Sequence, residues 1–503
     1  MFDSKKIDSY FDNRQNFELS KSGLQRNSIS WRRLFKLTLP CVAAALLGIM
    51  VVMPNIRKSA DLKDNVTIPR KGEMEKLHIE QTVFNSTDNK NRVNKIVADS
   101  VDETTPGSKI MKIINPRGRI PTDSGVADIT ASEGIFNQND NILNLSSDVR
   151  AVVDNDTVIT SAEANYDFGK EYGWGDKDIK AEGQWGNLTA EAFTYDKNEE
   201  ILTLKGYNKI ISQKSVLSAN EETIIYQKEN KSVSYGKASF SQNGKKLFAD
   251  KITAYFSETE KKELVRAEAL GNVIIKTERE TISGKEGYYN PQIGEMILYG
   301  DAKDDKDGKG YVSVRQGKNV LYAKKITAYS DISGNKDLRK VIALGNVKIV
   351  TPKETATGKE GHYYPQTGEV QLFGNFLTEA RKNGHVTIKQ GDNILMAEKI
   401  TAYIDKGKKG DLIKAIAVGK VNVRTPKGNA RGDRGIYNPK ENMVELFDNV
   451  RIEQNGNFID GAHAQTDLLT SISKITGDEN TGGRIHGIFY KTRKTGNGDK
   501  TKK

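Results

Sequence analysis

The chain has 503 residues, with 77 Lys and Arg against 66 Asp and Glu, a formal charge of +11, and a mean hydropathy of −0.61. That hydropathy excludes a polytopic membrane protein, while 19 Tyr, 16 Phe and many β-branched residues exclude a chain disordered throughout. One cysteine and five scattered histidines (His78, His362, His385, His463, His486) exclude a disulfide framework and any Cys-rich zinc site, so no metal and no cofactor is expected.

Residues 1–33 are polar, with seven basic and four acidic side chains, and end on Trp31, Arg32 and Arg33. The next twenty residues, 34–53, read LFKLTLPCVAAALLGIMVVM with Lys36 as their single charge. At 1.5 Å per helical residue, that stretch matches a hydrocarbon core roughly 30 Å thick. A cleaved signal peptide would need small residues at alternate positions before its cut, and Lys58 spoils the best candidate, after Ala60. Cys41 follows Thr38, Leu39 and Pro40, which is no lipoprotein box. The reading is a cytoplasmic tail at 1–33 and one transmembrane signal anchor at 34–56, with the remainder beyond the membrane.

The remainder repeats. KITAY stands at 251–255, 325–329 and 399–403, each 74 residues after the last. Gly-x-Val keeps the same step at Gly271, Gly345 and Gly419, as do Gly284 and Gly358 (GKEG), Gly432 (GDRG), and Pro291, Pro365 and Pro439. Each 74-residue unit is double, and weaker copies run back toward residue 131. Starts near 131, 162, 190, 219, 249, 284, 323, 358, 397, 432 and 462 give eleven half-units spaced 28 to 39 residues apart. That spacing holds two strands and two turns, as expected of a tandem-repeat architecture.

The period inside them is two. Val265, Ala267, Ala269, Gly271, Val273 and Ile275 alternate with Arg266, Glu268, Asn272 and Lys276. The expected fold is all-β: an elongated β-jelly roll or β-taco solenoid of tandem half-units with a continuous apolar inner strip. With one strand per half-unit in each of two sheets, eleven half-units stack to about 11 × 4.8 ≈ 53 Å. Asp301–Gly310 reads as an insertion, which the third unit lacks because Gln390 maps to Gln454.

At this point the residues resemble the lipopolysaccharide-export bridge proteins. The anchor, NRVNKIVADSVDE (91–103) and ADITASEGIFNQNDNILNLSSDVRAV (127–152) are similar to LptC, a bitopic protein with one periplasmic β-jelly roll. ADKITAY, ALGNVIIKT, SGKEGYYNP and GEMILYGD, restated as ALGNVKIVTPKETATGKEGHYYP and LFGN, are similar to OstA/LptA, the soluble periplasmic bridge. The resemblance implies an LptC-like module at 57–239 and OstA/LptA-like repeats at 240–470, and the six basic residues and one acid of 491–503 mark 471–503 as a basic, disordered tail. The resemblance further implies carriage of lipid A acyl chains along an apolar groove, from an inner-membrane ABC transporter toward the outer membrane, without enzymatic chemistry. The family keeps the two modules on separate chains, and this chain fuses them.

The groove candidates are Val265, Val273, Ile275, Val341, Val347, Ile349, Ile413, Val421 and Val423, together with Leu298, Leu372 and Leu446. Ordinary core packing accounts for the same alternation. Strand edges at 449–454 and 458–467 are expected to dock another OstA-like module, and early strands near 76–84 to face the transporter. Lys251, Lys325 and Lys399 form one basic row and Arg266, Lys340 and Lys414 another; a solvated outer face is the first reading of both rows, and contact with lipid phosphates is the alternative. No Gly-rich phosphate loop, EF-hand or recurring inward acidic pair is present, so no catalytic residue is expected and nucleic acid is not a partner. An envelope scaffold or adhesin, binding proteins through strand edges without carrying lipid, is the alternative.

Overall fold

The computed structural model describes residues 77–488 except 88–91, 122–125, 154–155, 185, 213–214, 243, 259–263, 278–279, 302–309, 333–337, 377–383, 406–411, 468–469, 471–472 and 478–482. The described residues are all-β: thirty-four strands and no helix. No helix among them is long and apolar enough to cross a membrane. The expected anchor at 34–56, the tail at 1–33 and residues 302–309 of the expected insertion at Asp301–Gly310 lie outside the described residues. The chain divides into two compact units, one ending at Ile275 and the other running from Lys276.

Strand Leu338–Val350 shows how the second unit is built. Residues 338–344 pair with Lys325–Ser330 on one side, and 341–344 pair with 360–363 on the other. Residues 347–350 pair instead with 355–358, and 348–350 with 320–322. One strand therefore serves two antiparallel ladders, and it changes ladder between Leu344 and Val347, where the register slips. Gly345 (φ +79°) and Asn346 (φ +49°) both sit in the left-handed region there. A bulge of this kind bends a strand without ending it. The corner recurs as Gly419–Lys420, Gly271–Asn272, Gly236–Lys237, Asp448–Asn449 and Ser147–Asp148.

Glycine suits this corner because a Cβ at Gly345 would meet Lys324 side-chain atoms from 3.0 Å in a conformation that L residues avoid. The residue after each corner points inward. Val149, Val273, Val347, Val421 and Val450 are between 0% and 8% exposed. The Gly-x-Val element is thus a fold line within one strand, not a turn before a new one.

The chain returns to the first ladder at the small residues Ala323, Gly358, Ala397 and Gly432, which open the half-units. Residues 323–357 place Lys325–Ser330 and 338–344 in the first ladder, and 347–350 and 355–357 in the second. Each half-unit therefore contributes two strands to each ladder. The expectation of one strand per half-unit is corrected, and the rise per half-unit becomes about 9.6 Å rather than about 4.8 Å. The missing decade in the third unit is also explained. Phe373 and Val386 end and begin separate strands, whereas Phe447 and Val450 flank a two-residue corner inside Met443–Gln454. Where the longer connection exists, glycines let its ends touch: a Cβ at Gly374 would lie 2.3 Å from the Gly384 carbonyl oxygen.

The first unit follows the same plan. Residues 142–146 of Ile142–Val153 pair with 133–137 and 163–167, and residues beyond the Ser147–Asp148 corner pair with 127–130 and 157–161. Its core centres on Leu143, Leu145, Tyr166 and Leu204, all at most 1% exposed.

Two expectations at the C-terminal side change. Asn457–Asp467 is not the last strand, because it pairs with Ser473–Thr476 and with His486–Ile488. Those strands lie inside the stretch expected to be a disordered tail. Gly461 makes room for one of them, since a Cβ there would fall 2.5 Å from Ile475.

Candidate functional site

Alternation assigns each strand an inner and an outer face. Within KITAY, Ile326 and Ala328 point inward, are 5% and 2% exposed, and alternate with Lys325, Thr327 and Tyr329. In the second unit the inner faces of the two ladders enclose an apolar cavity of about 70 Å³. Met296, Leu298, Ile326, Ala328, Val341, Ala343 and Leu372 line it from the first ladder, and Ile282, Val314, Leu321, Val347 and Ile349 from the second. Glu280, 3% exposed, adds a carboxylate to this wall and accepts a hydrogen bond from Gln316 Nε2 at 3.3 Å. The volume is about half the ~150 Å³ of a cavity that admits one benzene ring.

Five of the sequence candidates, Leu298, Val341, Val347, Ile349 and Leu372, meet in this cavity. Val421 and Leu446 are buried at 2% and 4% in the next repeat, and Val423 is half-buried. In the first unit Val273 is fully buried, Ile275 packs beside it, and Val265 is half-buried. Ile413 does not belong with them. It is 55% exposed because the pairing jumps from Tyr403↔Lys414 to Ile404↔Leu412 and leaves it unopposed. Arg339 occupies the same place one repeat earlier, between Tyr329↔Lys340 and Ser330↔Leu338. The inward residues there are Leu338, fully buried, and Leu412, and a strict count of two passes over both because it does not allow for the bulge. Met296, Ile326 and Leu321 were also missed, although the KITAY alternation carries the signal for Ile326.

The outer face of the first ladder accounts for the basic rows. Lys251, Lys325 and Lys399 lie over the rings of Tyr235, Tyr299 and Phe373 at 5.1, 5.2 and 5.0 Å, each above its cross-strand partner. Arg266 and Lys340 cover the rings of Tyr255 and Tyr364. Such contacts are worth about 0.5–1 kcal/mol each at exposed sites and tie neighbouring strands together.

His362, 6% exposed, is the one buried histidine on this face. It is hydrogen-bonded to Glu360 at 2.5 Å and set edge-on to Phe373 and Tyr364. Burial pushes its pKa below the usual value, Glu360 opposes this, and Lys340 and Lys399 add to the lowering. The unfolded chain therefore takes up the proton first. The stabilising effect of a neutral His362 is complete above about pH 6.5 and is lost as pH falls through and below that value. Tyr288 stands at this position one repeat earlier and donates its hydroxyl to Glu286 at 3.1 Å. His362→Tyr is therefore expected to flatten the decline in melting temperature between pH 7 and 5, measured by thermal denaturation of both chains.

Among the described residues no group of three or more His, Cys, Asp or Glu could hold a metal ion.

Two family profiles match the chain. The LptC-related lipopolysaccharide-assembly family matches residues 41–213. The family of LptA and LptD N-terminal-domain lipopolysaccharide-transport proteins matches 303–383 and again 378–471. No curated protein matches. Among solved structures the chain is similar to LptH, the LptA-homologous periplasmic component of the lipopolysaccharide transport device of Pseudomonas aeruginosa. Identity is 19%, covering 27% of this chain and 95% of that one, with a TM-score of 0.23. This chain carries an LptC-like module followed by LptA/OstA-like repeats.

Proposed function

We propose that the chain carries lipopolysaccharide across the periplasm without enzymatic chemistry, holding lipid A acyl chains between its two ladders. The observation that carries this reading is the apolar cavity bounded by Val341, Val347, Ile349, Leu298 and Leu372, positions that recur with the 74-residue repeat. The two family matches support the transport role. In this reading the segment at 34–56 anchors the chain in the inner membrane beside an ABC transporter that loads the lipid. The LptC-like module spans 57–239, the OstA/LptA-like repeats span 240–470, and other OstA-like modules dock at strand edges. An acyl chain is larger than the cavity, so loading parts the two walls.

The test uses the full chain with a photoreactive residue at Ile349 or Leu372, which face inward, or at Lys348 or Gln371, which alternate with them. After incubation with lipopolysaccharide and irradiation, the inward positions are expected to form adducts and the outward ones not. Equal yields from both sets would favour the scaffold or adhesin reading instead.

A further inference from the structure

The apolar interior is interrupted at one level of the first unit. Asn208, Thr223 and Ser234 are 0%, 0% and 1% exposed and polar. Thr223 lies in the first ladder, paired with Leu204 and Ser234. Asn208 lies in the second, paired with Ala190 and Ala219. The Thr223 hydroxyl donates to Asn208 Oδ1 at 2.6 Å, so the contact crosses from one ladder to the other. Thr223 has one proton to give, so Ser234 donates to Thr223 Oγ1 at 3.0 Å. Asn208 Nδ2 donates to the Gly206 carbonyl at 3.0 Å and completes the set.

The repeat shows that these positions are exceptional. Asn208 follows the left-handed corner residue Gly206 and so occupies the place held elsewhere by Val149, Val273, Val347 and Val421. Ser234 stands two residues before its corner, where Leu145, Ala269 and Ala343 stand before theirs. Thr223 is the first inward residue after its half-unit opens, the place of Ile252 and Ile326. In the second unit the counterparts Val347, Ala343 and Ile326 all line the apolar cavity. The substitution of three polar groups turns a lining into a closed hydrogen-bonded bridge. One apolar cluster, with Leu202 and Leu204, ends on one side of it, and the Ile210 and Ile225 of that cluster flank the bridge on the strands of Asn208 and Thr223 themselves. Another, with Ala249, Ile252 and Val273, begins on the other. The bridge also spans the end of the LptC-related match at residue 213.

We propose that Asn208, Thr223 and Ser234 form a polar septum that divides the lipid-carrying interior where the LptC-like module ends, so that acyl chains cross this level as a discrete step and do not rest there. The proposal rests on the lipid-carriage reading. An acyl chain lying at the septum would separate hydrogen-bonded groups and offer them nothing in return, a penalty that buried apolar positions do not impose.

The test is photolabelling of the full chain with lipopolysaccharide whose acyl chains bear a diazirine, with labelled residues read by mass spectrometry. In the parent chain, label at Asn208, Thr223 and Ser234 is expected to be at least about tenfold below that at Ile210 and Ile252, the factor that corresponds to roughly 1.4 kcal/mol, near the net worth of one hydrogen bond. Diazirines insert readily into O–H bonds, so low label on Thr and Ser is not a matter of reactivity. The variant N208V/T223I/S234A, carrying the residues of the cavity, should take label evenly across all five positions. Thr223→Val alone removes both links to Thr223 and serves as a second variant if the triple one does not fold. Label at the septum equal to its flanks in the parent, or a pattern unchanged in a folded variant, would overturn the septum alone. Absence of label everywhere, including Val347, would overturn lipid carriage and the septum with it.

Discussion

Val347→Asp is expected to abolish lipid carriage and to lower stability by about 3–5 kcal/mol, the range for an uncompensated buried charge. Val347 is 1% exposed and follows the corner at Gly345–Asn346, where the strand enters the second ladder. The lining holds no Lys or Arg to meet the carboxylate, and Glu280 already adds one carboxylate to the wall. Lys348→Asp, one residue on and exposed, should change stability by less than about 0.5 kcal/mol. Lipid co-purifying with each full-length variant measures carriage, and chemical denaturation measures stability. Ala343→Leu separates the two effects because it fills the space without adding charge. It should keep the fold, at a cost of about 1–3 kcal/mol, and still exclude lipid. A Val347→Asp chain that retained native lipid would remove the cavity from the transport path.

The repeat and its parity were legible because both are written in residue identity. A period of 74 fixes equivalent positions, and alternation across Val341–Ile349 sorts them into two faces. The corners were only half legible. Gly-x-Val marks where each strand bends, but a positive φ inside a continuous strand looks in sequence like a turn before a new one. That confusion halved the expected number of strands per ladder. Ile413 shows the limit of counting by two: a bulge adds a residue and moves Leu412 inward, although nothing in the local composition announces it. The septum was hidden for the opposite reason. Asn208, Thr223 and Ser234 are ordinary polar residues until the corner register reveals that each replaces an aliphatic or small residue. The last two strands were missed because short polar segments such as SKIT and HGI carry almost no alternation.

Proline at Gly487 or Ile488 is expected to weaken docking of another OstA-like module about tenfold. His486–Ile488 pairs with 458–460, and no described strand pairs with its other side. An uncovered strand side presents backbone N–H and C=O groups to an incoming strand, the general route of β-augmentation. Positions further in do not test this. Ile452 is paired with both Ala430 and Ile459, and Ile459 with both Ile452 and Gly487, so proline at either breaks a ladder within the chain. Adjacent residues of an antiparallel strand send their N–H groups in opposite directions. Of Gly487→Pro and Ile488→Pro, one therefore removes a donor facing the partner and the other a donor facing 458–460. The first should lower affinity while melting temperature is unchanged. The second should release the short strand from its own ladder and weaken docking indirectly. One lost backbone hydrogen bond is worth about 0.5–1.5 kcal/mol, up to roughly tenfold in affinity, and proline also clashes with a neighbouring strand. Binding of the purified module to each immobilised full-length variant measures the effect. Native affinity in both proline variants would mean that the docking edge lies elsewhere.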